Sequence, residues 1–140
     1  MHLSQSNSFV EDEEILYRSV RLADGGYKLE NGVYQISSSA FNDRNMQPSV
    51  DRAQLKNNNP EQSRKSKTDC VVSLKTLEIR NETIERNEIN YILDVKPDPT
   101  DENPAHAIVV PSPEYKNEKA FRKVKERLAR IATVTLTPIK

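Results

Sequence analysis

The chain has 140 residues, enough for one domain whose core needs neither disulfides nor a metal to hold it. Its 21 basic and 21 acidic residues cancel, which excludes a global field drawing it to nucleic acid or to a membrane surface; such a role needs a local basic face. No stretch approaches the roughly 20 apolar residues of a membrane span, the opening MHLSQSNSFVEDEE has neither the basic nor the apolar region of a signal peptide, and the single cysteine, Cys70, has no internal disulfide partner. A soluble cytoplasmic protein with no membrane partner is expected.

Residues 1–14 read as a flexible acidic tail ending in Glu11-Asp12-Glu13-Glu14, followed by one domain over 15–140. Residues 15–22, ILYRSVRL, alternate as a strand and place Arg18 on the face of Leu16 and Val20. That arginine is either an edge cation with its stem laid along the sheet or a positioned functional cation. Turn signals at Asp24-Gly25-Gly26 and Asn31-Gly32 frame short strands at 27–29 and 33–36, an antiparallel meander. After Ser37-Ser38-Ser39, Phe41 is the only large apolar residue before Met46 and is expected to be buried as an anchor. Pro48-Ser49 reads as the start of a turn or two of helix, with Ser49 as its cap.

Residues 56–69 contain no large apolar residue and read as a mobile polar loop. A buried strand at 70–74 contains Cys70, and Ser73 is placed to cap a helical turn over 74–80. Residues 89–95 alternate cleanly as a strand, and the apolar run 107–110 suggests a central one. Ser112-Pro113 marks a helix start, with Asn117 as a second possible cap; Phe121, Val124, Leu128 and Ile131 then form one apolar stripe. Residues 133–140 read as an edge strand. The sum is an α+β fold: a mostly antiparallel sheet of about five or six strands with one C-terminal amphipathic helix packed on it.

Hydroxyls, carboxylates and guanidiniums are densest over residues 33–55. Ser38 and Ser39 offer hydroxyls and amides to an anion, which Arg44 or Arg52 would neutralise, or they bond their own backbone. Ser49, Asp51 and Arg52 follow closely; Asp51 and Arg52, as neighbours on a helix, must find different partners, and a buried Arg52 needs a carboxylate. His106 is the only histidine outside the tail, so any acid–base role must use it. No glycine-flanked elbow surrounds a serine. Asp94, Asp98, Asp101 and Glu102 match no metal-loop spacing, and no metal or cofactor is expected. A local basic footprint for nucleic acid is offered by Arg64, Lys65 and Lys67 in the loop and by Lys119, Lys123 and Arg127 along the last helix, without aromatic residues between them.

Ser38-Ser39-Ala40-Phe41, Pro48-Ser49-Val50-Asp51-Arg52, Val71-Val72-Ser73-Leu74 and PDPTDENPAHA over 97–107 together resemble small uncharacterised bacterial proteins that carry a Ser/Ala-Phe turn, a Ser-Val block and an Asn-Pro-Ala-His-like strand opening. The resemblance implies a bacterial source and one compact domain, and supplies no catalytic residue. Leu16-Tyr17-Arg18 before a serine-rich strand is faintly similar to ADP-ribosyltransferase-like toxins. The leading expectation is an accessory or interaction protein for a protein or nucleic-acid partner. The alternative is an enzyme acting on a nucleotide-like substrate through residues 37–52, with Arg18, Ser38, Ser39, Ser49, Asp51, Arg52 and His106 as candidate site residues.

Overall fold

The computed structural model describes residues 8–139. Its elements are β1 (Ile15–Val20), β2 (Tyr27–Glu30), β3 (Val33–Ile36), β4 (Ser49–Arg52), β5 (Cys70–Lys75), α1 (Thr76–Arg80), β6 (Thr83–Arg86), β7 (Ile89–Pro97), β8 (His106–Ser112), α2 (Glu118–Ile131) and β9 (Thr133–Leu136). Seven strands form one sheet in the order β6-β7-β8-β4-β1-β5-β9, every neighbouring pair antiparallel, while β2 and β3 pair as a separate hairpin. The α+β class is as expected, and the sheet is larger than expected for two reasons.

The first is β4. Residues 49–52 read as a helix start, but they form a strand. Val50 and Arg52 are buried and Ser49 and Asp51 half-buried, which is the period of two. The segment lies between β1 and β8 and is hydrogen-bonded to both, so ladder bonds outweigh a cap that needed a helix behind it. The second is β6, which no expected element covered. It joins β7 through Asn87 and Glu88, both at positive φ (53° and 66°), a two-residue hairpin turn made without the glycine that usually advertises one.

Two helix starts also move. Ser73 belongs to β5, and α1 begins after Lys75. Ser112 belongs to β8, and α2 is capped by Asn117, whose Oδ1 accepts from the amides of Lys119 and Ala120 at 3.0 and 3.2 Å. Ala120, Val124 and Leu128 of α2 are buried. Arg127 and Arg130 reach Glu82, at 3.1 and 2.6 Å, and fasten the helix to the chain just before β6.

The core joins one face of the sheet (Leu16, Val20, Val50, Val72, Leu74, Leu93, Val95, Val109) to Val124, Leu128, Ile79 and Phe41. Phe41 is fully buried at the end of a 3-10 turn, Ser38–Phe41. Gly26 permits this approach: a Cβ there would lie 2.6 Å from Val20 Cγ1 and 3.2 Å from Ala40 Cα. Tyr17, Ala53 and Val71 form a smaller cluster of their own. No helix among the described residues is long and apolar enough to cross a membrane.

The expected tail differs from its reading where it is described. Val10 and Glu14 are buried, and residues 8–14 close over Arg52. Arg52 is 0% exposed and lies opposite Leu16 in the β1–β4 register. Its Nε and Nη2 donate to the two oxygens of Glu14, each at 2.8 Å, and Nη1 and Nη2 donate to the carbonyls of Ser8 and Phe9. Thr76 donates from its amide and its Oγ1 to the Glu14 carbonyl. A charge this deep is tolerable only when it is paired and its donors are used.

Glu14→Ala is expected to destabilise the fold by about 3–5 kcal/mol, because it strands the Arg52 charge. Urea denaturation showing a loss below about 1 kcal/mol, the range of a surface pair, would mean that this pair does not carry the clasp.

Candidate functional site

The site begins with the way β4 is held. Arg52 N donates to Ala105 O and Val109 N donates to Pro48 O, both at 2.9 Å. Residues 48, 50 and 52 therefore turn their main-chain groups to β8, and by the alternation of a strand Ser49 and Asp51 turn theirs to β1. The β1–β4 ladder contains only Leu16↔Arg52 and Tyr17↔Asp51. Continued, its register would bring Ser19 opposite Ser49, but the ladder stops. Beyond that point β1 stays with β5 as far as Val20↔Cys70, and β4 stays with β8 at Ser49↔Ile108. Two neighbouring strands separate, and a cleft of about 770 Å³ occupies the opening.

Arg18 bridges the opening. Its Nε donates to Ala40 O at 2.7 Å, Nη1 to Ser49 O at 2.7 Å and Nη2 to Asn42 O at 3.0 Å. Two of these carbonyls come from the end of the 3-10 turn and the residue after it, where main-chain acceptors lack partners within the turn. The guanidinium lies 5.4 Å from the centroid of the Phe41 ring. No carboxylate of the described residues is within ion-pair distance of it. Burial pulls its pKa below the ordinary arginine value and Asp43 and Asp24 oppose the shift; it stays a cation.

Asp51 ties two loops together at the cleft. Its Oδ2 accepts from Ser63 Oγ at 2.6 Å and its Oδ1 from Asn103 Nδ2 at 2.8 Å. His106 stands directly opposite Asp51 in the β4–β8 register. Its Nδ1 is 2.9 Å from Asp98 O and 3.2 Å from Asp98 Oδ2, acceptors that place the proton on Nδ1 and leave Nε2 as the unprotonated nitrogen of the neutral ring. Ser19 donates its hydroxyl to the buried Asp69 at 2.6 Å and accepts from the Lys65 amide at 3.0 Å. Arg44 and Lys65 are exposed residues of the lining, and Arg21 pairs loosely with Asp24 at 3.6 Å.

Of the residues proposed from sequence, Arg18, Ser39, Ser49, Asp51 and His106 line this one cleft. Ser38 lies in the 3-10 turn but does not line it, and Arg52 is in the core with Glu14. Lys65 of the basic loop is in the lining. Arg64 is held by both oxygens of Glu61, each at 3.0 Å, and by Asp69 O at 2.6 Å, and Arg127 is held by Glu82. The expected basic footprint therefore loses two of its members to internal contacts, leaving Lys65, Lys67, Lys119 and Lys123 exposed. Residues 56–69 carry two 3-10 turns, Ala53–Lys56 running into the segment and Pro60–Ser63 within it, and bury Ser63 and Asp69. Sequence reading missed Ser19, Ser63, Asp69 and Asn103. Only Ser19 carried a signal, as a polar residue two places after Tyr17 on a strand.

These features define a small α+β protein whose central antiparallel sheet is split between two strands, with a polar cleft at the split. Compared with known proteins, the chain matches no family model, no curated protein and no solved structure.

Asp51→Ala is expected to release both loops. Hydrogen exchange should rise over residues 60–64 and 100–104 while β7 and β8 stay protected, with a stability loss of about 1–3 kcal/mol for the donors left unpaired. Unchanged exchange in either loop would show that Asp51 does not hold it.

Proposed function

We propose that the protein is a binding module that takes an anionic group of its ligand in the cleft between β1 and β4. The observation that carries this reading is Arg18: a cation held by neutral oxygens, three main-chain carbonyls and the Ser49 hydroxyl, with no carboxylate of the described residues in ion-pair contact, on the wall of the cleft. A guanidinium satisfied in this way keeps its charge for something else. Arg44 and Lys65 add exposed cations at the same opening, and the cleft is within the usual range of ligand sites. In this reading the chain is a small accessory protein of the bacterial type its sequence resembles. The cleft replaces the extended basic face as the contact surface, since Arg64 and Arg127 are already engaged.

A second reading, a phosphate-handling enzyme, is favoured by His106. Asp98 fixes its Nδ1 proton, the arrangement that prepares the other ring nitrogen for proton transfer. Against it, neither Ser39 nor Ser49 is hydrogen-bonded to that ring among the described residues, so no activated nucleophile accompanies the base.

Titrating sulfate or phosphate against chloride at constant ionic strength, with melting temperature as the readout, tests the binding reading. The wild type should gain stability with a saturating dependence on oxyanion, about 2.7 kcal/mol at a hundredfold excess over Kd. The double variant Arg44→Glu/Lys65→Glu should keep its fold and lose the saturating part, retaining only the general salting effect. Equal responses of the two proteins would overturn the reading.

A further inference from the structure

We infer that the ligand of this cleft is a small phosphorylated polyol or sugar, its phosphoryl group at the Arg18–Arg44–Lys65 end and its hydroxyls at the Asp51–His106 end. This rests on the anion-binding reading and narrows it in three steps.

The first step is the shape of the anion. A planar carboxylate is gripped best by two parallel N–H groups of one guanidinium. Arg18 has no such fork left: its Nε, Nη1 and Nη2 are each committed to a different carbonyl. What remains at the wall is a set of single donors from separate elements: a spare Arg18 N–H, the Ser49 hydroxyl 3.4 Å from Arg18 Nη1, and the Lys65 ammonium. Arg44 has a free fork, but it is exposed, where one ion pair is worth little. Scattered point donors suit a tetrahedral group with three oxygens better than a planar one.

The second step is the other end. Asp51 has no ion-pair partner among the described residues and repels a second anion, whereas of the other two carboxylates in the lining Asp24 pairs with Arg21 and Asp43 accepts from the amides of Asn45 and Gln47, so the phosphoryl group is placed toward Arg18. The Asp51 oxygens already accept from Ser63 and Asn103, and each has a lone pair left for a ligand hydroxyl. His106, opposite Asp51 in the register and also in the lining, adds Nε2 as an acceptor when its ring is neutral. Acceptors without a nearby cation call for hydroxyl donors.

The third step argues against a nucleobase. Stacking needs an open aromatic face. Tyr17 is only 7% exposed and packs with Ala53 and Val71. Phe121, the other ring in the lining, has Lys125 Nζ over it, 5.0 Å from the centroid. Neither offers a wholly open platform, which turns the site away from the nucleotide-like substrate that the sequence offers as its alternative reading.

Isothermal titration calorimetry of the full chain with inorganic phosphate, a panel of pentose, hexose and glycerol phosphates, the matching unphosphorylated sugars, AMP and succinate tests this. At least one sugar or polyol phosphate should bind about tenfold or more tightly than inorganic phosphate and than AMP, with no heat from the free sugars or succinate. Arg44→Glu/Lys65→Glu should weaken that binding by about tenfold or more without lowering the melting temperature. Inorganic phosphate matching every ester, or AMP or succinate exceeding them all, would overturn the inference and leave the anion-binding reading standing. No binding of any phosphate at millimolar concentration would overturn both.

Discussion

A guanidinium stands where a ladder hydrogen bond would otherwise be. Ser49 turns its carbonyl toward β1, β1 has moved off with β5, and Arg18 Nη1 takes the bond at 2.7 Å. Main-chain acceptors left unpaired away from water cost about as much as a lost hydrogen bond, and here the half-buried Ser49 carbonyl stays paired although the ladder has ended. The same side chain gathers the carbonyls of Ala40 and Asn42, which draws the 3-10 turn against the open edge. The wall of the cleft and the docking of the turn that carries Ser39 depend on that one residue, while Phe41 is anchored by its own burial in the core.

Two arginines on the same sheet face solve their burial in opposite ways. Arg52 is closed off from water and neutralised by Glu14 through two 2.8 Å bonds. Arg18 is half-buried and satisfied by neutral oxygens. The first arrangement cancels its field and makes a structural clasp between residues 8–14 and β4. The second leaves the guanidinium without an ion pair among the described residues, with Asp43 and Asp24 acting on it only from a distance. Their neighbourhood also links clasp and site: Arg52 follows Asp51, whose carboxylate holds the loops containing Ser63 and Asn103.

What could be read from the chain, and what could not, divides by sequence distance. Phe41 was legible as an anchor because it stands alone in a polar stretch, and Arg18 because its place in an alternating strand fixes its face. Ser49 and Asp51 are legible as site candidates because polar groups crowd between apolar anchors over residues 33–55, and His106 because it is the only histidine outside the tail. Arg52 was misplaced because its partner, Glu14, lies 38 residues earlier in a run that reads as a solvated tail. For the same reason β4 reads as a helix start behind Pro48-Ser49: a strand of Ser-Val-Asp-Arg has an arginine where its core side chain should be, and the remote carboxylate makes that acceptable. β6 was hidden by a hairpin turn of Asn87 and Glu88, whose positive φ values no glycine announces. The network of Ser19 with Asp69, 50 residues apart, left no local trace.

Amide hydrogen exchange, resolved residue by residue by NMR on the unliganded protein, tests the split sheet most directly. The amides of Ser19 and Ser49 should exchange far faster than those of Tyr17, Asp51 and Val72, which lie in continuous ladders. Slow exchange at both Ser19 and Ser49, equal to that of their neighbours, would mean that β1 and β4 stay paired in solution and that there is no opening for Arg18 to bridge.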